Sequence, residues 1–213
     1  MFKKLLIMFL TALSFSGGCS AVGYLGYLIA PEGMTKTVEP EYKELPGKKV
    51  AVVIFAEQDV LYEYPLVRYE LGSAINDQFK KNVEKIQVVP AEQIIKFQDE
   101  DLDWDSMDKT ALGKAFSVDY VLFVSLVEFS TREPGSEYLY RGRVSAQATL
   151  YKTSLPEREA SVWQNPGIRL SYPEQEPVGQ YTEDDRKIRI ETERLFADML
   201  TKKFYKHKVP KNK

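Results

Sequence analysis

Hydrophobic and polar positions alternate along the chain in a way that predicts most of its elements. Val50-Ala51-Val52-Val53-Ile54-Phe55 is an unbroken, β-branched apolar run, the mark of a strand covered on both faces and so central in its sheet. Over 65–82 the period changes to three and four, with Val67, Leu71, Ala74, Ile75 and Phe79 on one stripe and Arg68, Glu70, Asp77, Lys80 and Lys81 on the other. This predicts an amphipathic helix with Pro65 at its first position. Ile86–Val89 reads as a short strand ended by Pro90, followed by a short helix over 91–97 and a second over 106–116 with Met107, Ala111, Leu112 and Ala115 inward. Val118–Phe129 is the strongest strand signal. After the turn Glu133-Pro134-Gly135-Ser136, residues 138–152 alternate through Val144, Ala146, Ala148 and Leu150, as a strand with one covered face does. These two segments predict an antiparallel hairpin. A further strand over 160–164 is broken by Asn165-Pro166-Gly167, residues 171–181 form a Pro-rich connector, and a long helix runs over 183–206. Thr182 is its expected N-cap, and Ile188, Thr192, Leu195, Phe196, Met199 and Phe204 make its apolar face. The expectation is an α/β (α+β) fold in a single domain. Its order is β-α-β-α-α-β-β-β-α, a mixed, mostly antiparallel sheet with flanking helices.

The first thirty residues follow another pattern. Lys3 and Lys4 precede the apolar stretch Leu5–Phe15, then small residues Ser16-Gly17-Gly18, then Cys19, the only cysteine of the chain. Residues 1–18 read as a signal peptide. Small residues followed by Cys resemble the lipobox of bacterial lipoproteins, although Ser16 stands where Leu is usual. The resemblance implies that Cys19 takes a diacylglycerol and an amide-linked acyl chain such as palmitate. Several chains together anchor firmly, since each buried CH₂ contributes roughly 0.8 kcal/mol. Ser20 after the Cys implies the periplasmic face of the outer membrane. Leu5–Ala30 lacks charge and is long enough to span a bilayer, so an inner-membrane signal anchor with an exported domain is the alternative. A buried structural cysteine is the remaining one. Residues 19–47, with Pro31, Pro40, Pro46 and four glycines, read as a tether before a domain over 48–206. Residues 207–213 read as a basic, frayed tail.

Over residues 48–164 the chain resembles a group of envelope proteins. The group comprises the curli-secretion lipoprotein, the lipoprotein activators of penicillin-binding proteins and the amino-terminal domain of the Tol-Pal periplasmic protein. The matching pieces are Lys49–Phe55, Val88-Val89-Pro90 with Ile94, Leu112-Gly113-Lys114-Ala115 running into Val118-Asp119-Tyr120-Val121-Leu122, and Val144–Tyr151 with Trp163. Ser125 replaces a frequent Gly, and the turn that usually carries Thr-Gly-Glu is here Thr153-Ser154-Leu155-Pro156-Glu157. The long membrane-inserting hairpins of the curli-type protein have no counterpart. The resemblance implies a non-enzymatic domain that binds envelope proteins or assembles into a ring.

Composition narrows the chemistry. The chain has 213 residues, is 44% hydrophobic and carries a formal charge of −2. It shows no basic stripe before its last dozen residues, so nucleic acid is not an expected partner. His207 is the only histidine, which argues against Ser-His or Cys-His hydrolysis and against a Cys/His zinc site. No phosphate-binding glycine loop appears, and no cofactor is expected. Asp101, Asp103 and Asp105 alternate as in a calcium loop, but Ser106 and Leu112 stand where Gly and Glu are needed. They are a weak metal candidate beside the plainer reading, a solvated acidic loop. Tyr62, Tyr64, Tyr69, Tyr138 and Tyr140 are a candidate recognition surface. The function expected is an adaptor or activator lipoprotein with an envelope protein partner and a possible homo-oligomeric state. A ring-forming component of a secretion apparatus is the alternative, and an envelope hydrolase a second one.

Overall fold

The computed structural model describes residues 35–179 and 182–211. Cys19 and the leader lie outside the described residues. Residues 39–206 form one compact unit, and a smaller unit contains the described residues before 39 and after 206.

In the larger unit the strands β2 (Lys49–Ala56), β3 (Gln87–Val88), β4 (Tyr120–Arg132), β5 (Leu139–Lys152), β6 (Ser161–Tyr172) and β7 (Val178–Gly179) build one sheet. Its order is β3-β2-β4-β5-β6, with β7 also on β5. β2 is parallel to β3 and β4, and the other pairings are antiparallel. The mixed, mostly antiparallel α/β sheet expected from the pattern is the sheet observed.

The two faces of this sheet are covered unequally. On one, Val50, Val52 and Ile54 of β2, Leu122, Val124 and Leu126 of β4, and Val144, Ala146, Ala148 and Leu150 of β5 are buried in one cluster. Helix α2 (Val67–Asn82) covers them through Val67, Leu71, Ile75 and Phe79. Helix α5 (Thr182–Thr201) does so through Phe196, Ala197 and Leu200. On the other face a smaller cluster holds Ala51, Val53 and Val121 under Ile94 of α3 (Ala91–Glu100) and Leu112 of α4 (Lys109–Ala115). Buried amides tie helices to strands: Asn76 Nδ2 donates to Val89 O at 2.9 Å, and Gln98 Nε2 to Ile54 O at 3.0 Å.

Several elements differ from expectation. A short helix α1 (Gln58–Glu63) precedes α2, which begins at Val67, two residues after Pro65. Helix α4 starts at Lys109, because the Asp108 carboxylate accepts from the Thr110 amide and caps it there. Asn165-Pro166-Gly167 does not end its strand. β6 runs on to Tyr172, and the register jumps from Ala148↔Asn165 to Ala146↔Ile168, so Pro166 and Gly167 are absorbed in a bulge. The connector contains the short strand β7. The tether expected up to residue 47 ends earlier, since Leu45 is fully buried in the main cluster with Tyr42 packed against it. Closely spaced prolines hid this single inward residue. The tail expected to fray after Lys206 instead forms β8 (His207–Pro210), antiparallel to β1 (Thr35–Val38). Ladder hydrogen bonds between these distant segments leave no local signal in either one.

Candidate functional site

The sequence alternation around Phe55 and Phe123 has a spatial result. In the β2–β4 ladder Val53 pairs with Phe123 and Phe55 with Ser125, so the two rings stand on the less covered face, Phe55 at the carboxyl end of β2 and Phe123 in the amino-terminal half of β4 beside it. The chain leaves β2 for β3 on one side and returns through α3 and α4 to β4 on the other. The strand order therefore reverses at the β2–β4 boundary. A crevice outside the carboxyl ends at such a reversal is where open α/β sheets take ligands. Near this boundary, over the sheet face, lies a cavity of about 320 Å³ lined by Phe55, Asp105, Ser106, Lys109, Phe123 and Ser125.

Its floor is aromatic. Phe55 stacks on Phe123 with centroids 6.5 Å apart, and the buried Trp104 contacts both, at 6.2 and 6.4 Å. The acidic loop forms one wall. Lys109, at the first position of α4, folds back into the cavity: Nζ donates to Asp105 O at 2.6 Å and to Met107 O at 2.8 Å, and lies 4.7 Å from the Phe123 centroid. Burial lowers its pKa, with the Asp105 and Asp108 carboxylates acting against that shift. Ser106 Oγ donates to Asp103 O, so that hydroxyl is turned to the backbone rather than to a base.

The crevice thus joins Asp105 of the acidic loop to residues that sequence reasoning had read only as core strand and helix. A signal was available: two aromatic residues within apolar strand runs, each in phase with the less hydrophobic face. Among the described residues no three carboxylate, imidazole or thiol groups come together to hold a metal. In the candidate calcium loop Asp101 Oδ1 accepts from the Asp103 amide at 3.1 Å. The tyrosine surface divides. Tyr64 and Tyr140 are buried, Tyr62 and Tyr138 are exposed, and Tyr69 donates to Glu92 at 3.2 Å.

Two other polar groupings are used internally. Tyr42 donates to Tyr120 at 3.0 Å, while Tyr120 and Lys152 both donate to Glu44, each at 3.0 Å. This holds residues 42–44 against the sheet. Between α2 and α5, Glu193 lies buried beside Glu70, and Arg189 reaches Glu70 at 3.4 Å. Burial first, and the Glu70 carboxylate second, push the Glu193 pKa up to about 8.

No protein-family description matches the chain, and no curated protein does. Solved structures overlap with it in part. The PelC dodecamer from Paraburkholderia phytofirmans is 12% identical, covering 80% of this chain and 96% of that one with a TM-score of 0.47. The lipoprotein GNA1162 from Neisseria meningitidis is 17% identical, covering 66% of this chain and 91% of that one with a TM-score of 0.41. With scores below 0.5, neither likeness bears on what this chain does. No described helix is long and apolar enough to cross a membrane.

Proposed function

We propose that the protein is a non-enzymatic lipoprotein, anchored through Cys19 to the periplasmic face of the outer membrane, whose domain binds another envelope protein as an adaptor or activator. It would belong with the curli-secretion, penicillin-binding-protein activator and Tol-Pal group that its strands resemble. One observation carries the binding role: an aromatic-floored crevice stays open between the carboxyl end of β2 and the amino-terminal half of β4, in a fold whose other sheet face is closed by two helices. A concave apolar site with a few polar groups at its rim is suited to recognition.

Anchoring is tested by alkyne-palmitate labelling. The wild-type chain takes the label and Cys19→Ala does not; equal labelling of both removes the anchor from the reading. The binding role is tested by crosslinking in intact envelopes, where one discrete partner is expected. Release of soluble fragments from purified peptidoglycan would instead make the protein an envelope hydrolase.

A second reading, a ring-forming component of a secretion apparatus, is favoured by β6. It is an outer strand of the sheet, twelve residues long, and an outer strand offers its free edge to another chain. A single large closed species in mild detergent supports the ring; a monomer or dimer supports the adaptor.

A further inference from the structure

We infer that the crevice receives an arginine side chain of the protein partner, with apolar residues flanking that arginine. This deepens the adaptor reading and rests on it.

The charge around the site chooses the sign of the occupant. Asp99, Glu100, Asp101, Asp103 and Asp105 lie within seven residues of sequence. Asp99 is paired with Arg68 at 3.1 Å and Glu100 with Lys96 at 3.7 Å, while Asp103 and Asp105 are exposed. A wall of this sign attracts a cation and repels a carboxylate. The floor chooses its shape. Phe123, stacked on Phe55, presents a ring face on which the Lys109 ammonium already lies at 4.7 Å, and a planar guanidinium stacks on such a face more favourably than a compact ammonium does.

The protein already demonstrates the chemistry with its own residue. Lys109 Nζ sits over the Phe123 ring and is held by two backbone carbonyls. An ammonium placed this way shows that the crevice accepts a partly buried cation, and it is an internal competitor for an incoming one. Two exposed apolar residues close in sequence to the lining choose the neighbours. Leu102 is 85% exposed on the acidic loop, and Val127 is 62% exposed on β4 two residues beyond Ser125. Val127 is the residue that the β4 bulge leaves without a partner on β5. Apolar side chains beside the arginine would cover both.

The test uses the mature full-length chain in mild detergent and two dye-labelled peptides, one with the core Leu-Arg-Leu and the other with Leu-Glu-Leu, read by fluorescence anisotropy. The arginine peptide binds and the glutamate peptide does not, and added salt weakens the binding. Asp103→Asn with Asp105→Asn lowers the affinity about tenfold, a loss of two favourable charges. Lys109→Met removes the competitor and raises the affinity a few-fold. Equal binding of both peptides overturns the inference. So does loss of arginine-peptide binding in Lys109→Met, which would make Lys109 an anchor for anions. Far-ultraviolet circular dichroism of each variant establishes that it is folded. If a partner is captured in envelopes but an excess of the arginine peptide does not displace it, the crevice assignment falls and the adaptor reading stands. If the peptide binds but no partner is captured, the adaptor reading falls and the site stands.

Discussion

The two faces of the sheet solve different problems with the same strands. Along β5, Val144, Ala146, Ala148 and Leu150 point into the cluster beneath α2 and α5. The alternate positions Arg143, Ser145, Gln147 and Thr149 point the other way. The first set needs a lid; the second is polar enough to meet water without one. Helices α3 and α4 therefore cover the β2–β4 part of the second face and the Tyr151 end of β5, leaving the crevice open beside the first turn of α4. One face supplies stability, and the partial cover of the other supplies a site.

This division can be broken by truncating one ring on each face. Phe79 of α2 is fully buried against Phe204, with centroids 5.6 Å apart. Phe79→Ala should cost about 3–5 kcal/mol, read from urea denaturation. Phe123 on the crevice floor is only half-buried, so Phe123→Ala should cost about 1–2 kcal/mol by the apolar area it removes from cover while abolishing arginine-peptide binding. Equal costs for the two would mean that the faces are not divided as described.

A smaller effect sharpens how tightly the closed face is packed. A Cβ on Gly142 of β5 would overlap the Thr192 side chain of α5, which itself donates to Ile188 O. Gly142→Ala should cost about 1–3 kcal/mol by overpacking. Thr192→Ala should recover part of that in the double variant, removing the overlapping Oγ1 and Cγ2 while Cβ of residue 192 stays 2.7 Å from the new methyl. A simply additive double variant would show that α5 moves aside freely there.

The closed face was the legible one. Its stripes at Val67, Leu71, Ile75 and Phe79 and the alternation of β5 are local periods, and Ile188, Thr192 and Phe196 are buried as their spacing predicts. What escaped depended on contacts between distant segments. Leu45 between two prolines, the β1–β8 ladder and the passage of β6 through Pro166 and Gly167 are all decided by partners far along the chain. The crevice escaped for the same reason. Asp105 stood out as one of an acidic series, whereas Phe55 and Phe123 read as ordinary strand residues until register set them side by side. Cys19, read from the sequence as a lipid anchor, lies outside the described residues.

Each covering layer also holds one ionisable group in an unfavourable place, and the contrast between them yields the last prediction. Lys109 beside the open crevice keeps its ammonium by donating to two carbonyls. Glu193, between the two helices of the closed face, has no such support. Its Oε1 is buried without a hydrogen-bond partner among the described residues, and on the same seam Glu70 disfavours its charge and Arg189 favours it. Its pKa is pushed up to about 8 in the folded chain from an ordinary 4.5. Between those values the folded state holds a proton that the unfolded state has released. Stability is therefore greatest below the lower value and falls as pH rises towards the upper one. Glu193→Gln removes the titration and keeps the shape. The variant should match the wild type near pH 4.5 and exceed it progressively up to pH 8 in thermal melts followed across that range. If the two curves run parallel through the whole window, Glu193 is ionised in the fold and the Arg189 guanidinium, not the shared burial with Glu70, governs the seam.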